Sequence, residues 1–243
     1  MKVRMKVKKE RWPNFLTSGN LMCGVLALAL LTRGHALVAS WLIIAAIIFD
    51  FLDGKIARML GVSGNFGKEF DSLADIVSFG AAPAILMYVY ALNKYAIFGA
   101  LVGVVYVICG ALRLARFNLM KSRPYFLGLP ITAAGGFIAS MVLSGIPFPE
   151  EAIVAVFFAV SYLMVSKIRY GNLKKISRMR QVNMKVFLFL LFCLCGLLIF
   201  SPKVAPFIAM SVYVLSGPLG IDWGEILAKK GEGDEESEEG EEA

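Results

Sequence analysis

The stretch from Asp50 to Asp75 reads DFLDGKIARMLGVSGNFGKEFDSLAD. It sets four carboxylates, Asp50, Asp53, Asp71 and Asp75, beside or inside runs apolar enough to lie in a membrane. An ionised side chain at that depth costs at least about 2–3 kcal/mol unless something pairs with it. On a helix, the i, i+3 spacing of Asp50 and Asp53 and the i, i+4 spacing of Asp71 and Asp75 put each pair on one face. One face closes a hydrophobic helix and the other opens the next. Folded across the glycine-rich turn between them, the two faces form a ring of oxygen ligands of the kind hard divalent cations take.

The rest of the chain supports a membrane reading. Of 243 residues, 58% are hydrophobic and 18% charged, with a mean hydropathy of +0.70, far more apolar than a soluble domain. The expected fold is all-α, a polytopic bundle of about eight transmembrane helices. Candidate spans lie at about Phe15 to Thr32, Ala36 to Leu52, Leu73 to Leu92, Ile97 to Leu112, Ile131 to Ile146, Ala152 to Val165, Val186 to Phe200 and Val204 to Leu219, judged against the roughly twenty residues a bilayer requires. Six would form a core and the last two a C-terminal pair. The start, MKVRMKVKKER, leads into the first span without a small-residue cleavage site, so that span is expected to be retained. With six basic residues beside Trp12-Pro13, Lys2 to Arg11 suits a short interfacial helix.

Charge placement sets the orientation. With the N-terminus inside, the inward segments hold twenty lysines and arginines, and the outward loops hold three, Arg33, Lys94 and Lys203. By the positive-inside rule both termini are cytoplasmic. The basic residues are thereby accounted for, and no nucleic-acid partner is expected. Residues 1–221 read as one membrane domain, and 222–243, ending EGDEESEEGEEA, as an acidic disordered cytoplasmic tail. Cys23, Cys109, Cys193 and Cys195 fall in apolar runs and are expected to be buried thiols. His35 falls in an outer loop and is expected to be solvated.

From Asp50 the pattern is D-x2-D-G-x2-A-R-x8-G-x3-D-x3-D, with Gly54, Ala57, Arg58 and Gly67 at the named positions. It closely resembles the signature of the CDP-alcohol phosphotransferase family. The resemblance implies a membrane enzyme that moves a phospholipid group from a CDP-activated lipid to an alcohol and releases CMP. It also implies two divalent metal ions, Mg2+ or Mn2+, on Asp50, Asp53, Asp71 and Asp75, with Asp75 as the general base, and a homodimer.

Physical chemistry fits this independently. A diphosphate would be repelled by four carboxylates unless cations lay between them, and carboxylate and phosphate oxygens favour magnesium or manganese over zinc. Gly54 would let the diphosphate approach the backbone, Ala57 leaves room one turn later, and Arg58 offers charge-assisted contacts. Ser63, in the Gly61 to Gly67 turn, could reach the nucleotide. The family often has a hydroxyl six residues after the arginine; here that position is Gly64, with Ser63 alongside.

Asn14, Phe15, Leu16 and Thr17 resemble the family's nucleotide-holding segment at the start of the first span. The alternative is that Asn14 and Thr17 simply cap that helix. CGALRLARFN (109–118) and YFLGLP (125–130) resemble segments of the phosphatidylserine synthase branch. The implied acceptor is L-serine, its carboxylate on Arg113 or Arg116 and its amine on Asn118. An inositol phosphate or glycerol phosphate acceptor is the alternative within the family. Outside it stands a cation transporter, since intramembrane acids also mark ion paths, although transport has no use for Gly54, Ala57 and Arg58 at these spacings.

Overall fold

The computed structural model describes residues 2–61, 64–119, 126–170, 201 and 203–221. Helix α1 (Lys2–Leu31) runs through Pro13, so the expected interfacial helix and first span form one helix. Its apolar part, Trp12–Leu31, is long enough to cross a membrane. A tight turn with Gly34 at φ 78° leads into α2 (Ala36–Leu60), which ends on Gly61 in the left-handed conformation. The Gly61 N–H returns to the carbonyls of Ala57 and Arg58, a closure that glycine makes without a Cβ penalty.

After the turn, α3 (Asn65–Asp75) passes directly into a π-helical segment, Ile76–Ala81, then α4 (Ala82–Met87) and a second π segment, Tyr88–Leu92. The chain reverses at Asn93–Tyr95, where Ala96 sits at φ 45°, and α5 (Ala96–Leu119) returns alongside. Glycines on α5 let the two passes close. A Cβ on Gly99 would lie 2.3 Å from the Leu92 carbonyl oxygen, and one on Gly103 3.5 Å from the Ala84 side chain. Small residues permit such approach where no hydrophobic effect drives helices together.

Helix α6 (Ile131–Ser144) is the centre of the bundle, with most of its residues buried. Gly135 faces the backbone of Phe79, where a Cβ would stand 2.9 Å from its Cα. Around it pack α2, the first π segment and α8 (Ala205–Ser216), while α7 (Glu150–Val165) lies against α5. A two-residue antiparallel pair, β1 (Phe126–Leu127) with β2 (Arg169–Tyr170), is the one strand pairing among the described residues. It ties the approach to α6 to the segment after α7. Burial pushes the Tyr170 phenol up to about 12, so it stays a neutral donor, 3.1 Å from the Val214 carbonyl.

The architecture is therefore helical, and three stretches, Trp12–Leu31, Ala36–Leu60 and Asn65–Leu119, are long and apolar enough to cross a membrane. The third includes the reversal at Asn93–Tyr95 and so folds into two passes. Helices α6 and α8 are shorter apolar helices. Phe15, Trp41, Phe51, Met59, Phe66 and Ile97 are among the large apolar side chains facing outward, a surface suited to lipid rather than water. Cys23 is buried and Cys109 half-buried, both as free thiols, and His35 is exposed. The expected span Val186 to Phe200, Cys193, Cys195 and the acidic tail lie outside the described residues.

Candidate metal and substrate site

The carboxylates converge as their spacing requires. Asp50 and Asp53 project from the C-terminal half of α2, and Asp71 and Asp75 from α3. One oxygen each from Asp50, Asp53 and Asp71 lies within 4.8 Å of the others. Asp75 closes the group and feels the charges of Asp50, Asp71 and Asp53. Asp53 is 5% exposed and Asp75 7% exposed.

Helix α1 supplies neutral partners to this group. Thr17 Oγ1 donates to Asp53 Oδ2 at 2.7 Å and is also 3.1 Å from the Pro13 carbonyl. The hydroxyl has one proton, and the ionised acceptor is the stronger. Asn20 Nδ2 donates to Asp75 Oδ1 at 3.1 Å. Ser78, in the π segment behind Asp75, donates from Oγ to the Asn20 main-chain carbonyl at 2.9 Å. Tyr106 Oη donates to the Phe79 carbonyl in the same segment at 2.9 Å. The π turn that carries the chain away from Asp75 is thus held from both sides.

These contacts provide a test of whether a cation fits. Asp71 Oδ1 is buried with no hydrogen-bond partner among the described residues, and leaving a buried carboxylate oxygen unpaired is costly. A set of carboxylate oxygens that close satisfies hard, oxygen-seeking divalent ions. Asp50, Asp53 and Asp71 could therefore hold a metal ion, with Asp75 adjacent.

The expected nucleotide contacts surround the cluster unevenly. A Cβ on Gly54 would meet Arg58 Nη1 at 3.3 Å, so the arginine folds back over the glycine. A Cβ on Gly67 would lie 3.4 Å from Asn14 Oδ1, which places Asn14 opposite α3. Ala57 and Leu16 are half-buried, and Phe15 is exposed. Because α1 begins at Lys2, neither Asn14 nor Thr17 caps it, and the capping alternative falls. Ser63 lies outside the described residues.

The three expected acceptor residues have separate surroundings. Arg113 is 8% exposed, its Nε has no hydrogen-bond partner among the described residues, and its charge is favoured by the carboxylate of Asp75. Arg116 Nη1 instead donates to the Val165 carbonyl at 2.9 Å, at the C-terminal end of α7. Asn118 Nδ2 donates to Ser72 Oγ at 3.0 Å, next to Asp71 in sequence. Sequence reasoning missed Asn20, Ser78 and Tyr106. Only their polarity within apolar runs marks them, and Thr17, expected at the nucleotide, also donates to Asp53.

A family model described as CDP-alcohol phosphatidyltransferase matches residues 11–218. The chain is 35% identical over 215 residues to a CDP-diacylglycerol–serine O-phosphatidyltransferase of Helicobacter pylori, covering 85% of this chain and 89% of that one. It is 38% identical over 164 residues to the Bacillus subtilis protein of the same name, covering 67% and 91%. With an archaetidylserine synthase of Methanothermobacter thermautotrophicus the identity is 41% over 162 residues, covering 65% and 68%. With its carboxylates gathered between α2 and α3 and the family model spanning most of its length, the chain belongs to the CDP-alcohol phosphatidyltransferase family.

Proposed function

We propose that this protein transfers the phosphatidyl group, or its archaeal-type counterpart, from a CDP-activated lipid to the hydroxyl of L-serine, releasing CMP. It is thus a phosphatidylserine synthase of phospholipid biosynthesis. The observation that carries the reading is the convergence of Asp50, Asp53 and Asp71 oxygens within 4.8 Å beside the buried Asp75. The names of the relatives from three organisms supply the acceptor.

In this reading the four aspartates would hold two divalent ions, Mg2+ or Mn2+. When bound, these ions would neutralise the diphosphate and stabilise the charge that develops at phosphorus. The chain's own residues do the rest. Asn14, Phe15, Leu16, Thr17, Gly54, Ala57, Arg58, Ser63 and Gly67 receive the CDP-lipid. Asp75 takes the proton of the serine hydroxyl as its oxygen forms a bond to the lipid-bearing phosphorus. The phosphorus–oxygen bond to CMP breaks, and its electron pair leaves with CMP. Arg113 binds the serine carboxylate, and Arg116 and Asn118 complete the acceptor side.

The proposed setting is a cell membrane crossed eight times, with six core helices, a C-terminal pair, both termini and the site at the cytoplasmic face, and a homodimeric assembly. The twenty-to-three distribution of basic residues supports the orientation, and family membership supports the dimer.

Purified protein given CDP-diacylglycerol, Mn2+ and competing acceptors tests the reading. Serine should release CMP in preference to inositol phosphate and glycerol phosphate, and preference for either phosphate would replace serine as the acceptor. An Asp75→Asn variant with full activity would refute the base.

A further inference from the structure

Two buried polar atoms, Asn20 Oδ1 and Arg113 Nε, have no hydrogen-bond partner among the described residues. Asn20 has no exposed surface. A carboxylate only accepts, so the amide must turn its Nδ2 toward Asp75. Its Oδ1 therefore points elsewhere, buried and without a donor among the described residues. The amide is planar, so this buried acceptor lies next to the Asp75 carboxylate. The second unpaired atom is Nε of Arg113, a buried guanidinium on α5 whose charge is favoured by the carboxylate of Asp75.

The orientation of Asn20 is held by its backbone. Its carbonyl accepts from Ser78, and Gly24, one turn further along α1, lies so close to the π segment that a Cβ there would stand 2.8 Å from the Ser78 Cα. This close approach packs α1 tightly against the π segment at Asn20. An unpaired acceptor beside the Asp75 carboxylate and an unpaired donor on Arg113 match a small molecule with the opposite pair, a cation rich in N–H and an anion, joined to a reactive hydroxyl. A phosphate-bearing polyol offers no cation to Asn20.

We infer that Asn20 is a specificity-determining residue, its Oδ1 accepting from the ammonium group of an amino-alcohol acceptor while Arg113 Nε takes that acceptor's carboxylate. This rests on the serine reading above and adds the residue that reads the amine.

Full-length protein is assayed for CMP release from CDP-diacylglycerol with L-serine, with 3-hydroxypropionate, which lacks the amine, and with ethanolamine, which lacks the carboxylate. A hydrogen bond to a charged group predicts that the wild type favours serine over 3-hydroxypropionate by about tenfold to a hundredfold in kcat/KM. Asn20→Leu should shrink that ratio to under about threefold while the serine-to-ethanolamine ratio and the KM for CDP-diacylglycerol hold. A lower kcat with an unchanged serine-to-3-hydroxypropionate ratio would show that Asn20 only positions Asp75, and would overturn the inference. Asn20→Ala, which also removes the amide acceptor and predicts the same loss of the ratio, serves if the leucine variant does not fold. Wild-type protein that uses 3-hydroxypropionate as well as serine overturns it with no variant at all. Failure of the serine reading shows separately, as wild-type CMP release with glycerol phosphate or inositol phosphate and none with serine, and the amine contact then falls with it.

Discussion

Thr17 Oγ1 stands 2.7 Å from Asp53 Oδ2, a hydrogen bond between α1 and the end of α2 across 36 positions of sequence. Both residues are buried, so the bond joins a neutral donor to a carboxylate that water reaches poorly. Replacing Thr17 by valine keeps the shape and removes the donor. A buried hydrogen bond to a charged group is worth about 1.5–3 kcal/mol, so T17V should weaken divalent-ion activation of CMP release by roughly tenfold or more. Thr17→Ser should restore it. The metal concentration giving half-maximal activity, measured for all three proteins, decides the matter, and an unchanged value in T17V would assign Thr17 to the nucleotide alone.

Asp71 Oδ1 has no hydrogen-bond partner among the described residues, although its neighbours Asp50 and Asp53 crowd it with like charge. Without cations this arrangement opposes folding through repulsion and desolvation. Asp71→Asn should therefore reduce activity by on the order of a thousandfold, as loss of several kcal/mol of charge stabilisation implies, yet unfold at a higher temperature than wild type in EDTA. Adding Mg2+ should raise the wild-type unfolding temperature, since a ligand at about 100 times its Kd contributes about 2.7 kcal/mol. D71N should lose most of that rise. Equal metal-induced shifts in both proteins would exclude Asp71 as a ligand.

The sequence revealed the convergence of the carboxylates because each pair is local. Spacings of three and four residues fix a shared helical face before any tertiary contact forms, and the glycine turn brings the faces together. The reversal between α4 and α5 was similarly legible, since the apolar run from Leu73 to Leu112 is too long for one crossing. The partners of the carboxylates were not. Thr17 reaches Asp53 and Asn20 reaches Asp75 only because α1 packs beside α2 and α3, and no periodicity encodes that approach. Nothing in IVSFGA distinguishes a π turn from an α turn. Trp12-Pro13 resembled a break, but the helix absorbs the proline.

Arg113 and Arg116 are alike in sequence, as two basic residues at the inward end of one helix, and the fold separates them. Arg116 is engaged with the Val165 carbonyl at 2.9 Å, one of the α7 C-terminal carbonyls that lack an intrahelical donor. Arg113 keeps a buried Nε without a hydrogen-bond partner among the described residues, and its charge is favoured by the carboxylate of Asp75. If Arg116 is chiefly a cap, Arg116→Gln should cost about 1 kcal/mol of stability and leave the KM for serine within about twofold. Arg113→Lys keeps the charge but loses the planar fork that binds a carboxylate with two parallel bonds. It should raise the KM for serine about tenfold or more, with the KM for CDP-diacylglycerol unchanged. Steady-state kinetics with each substrate varied in turn, beside thermal unfolding of the same preparations, separates the two. A tenfold rise in serine KM from R116Q would restore Arg116 to the acceptor site and leave its contact with Val165 as a resting position.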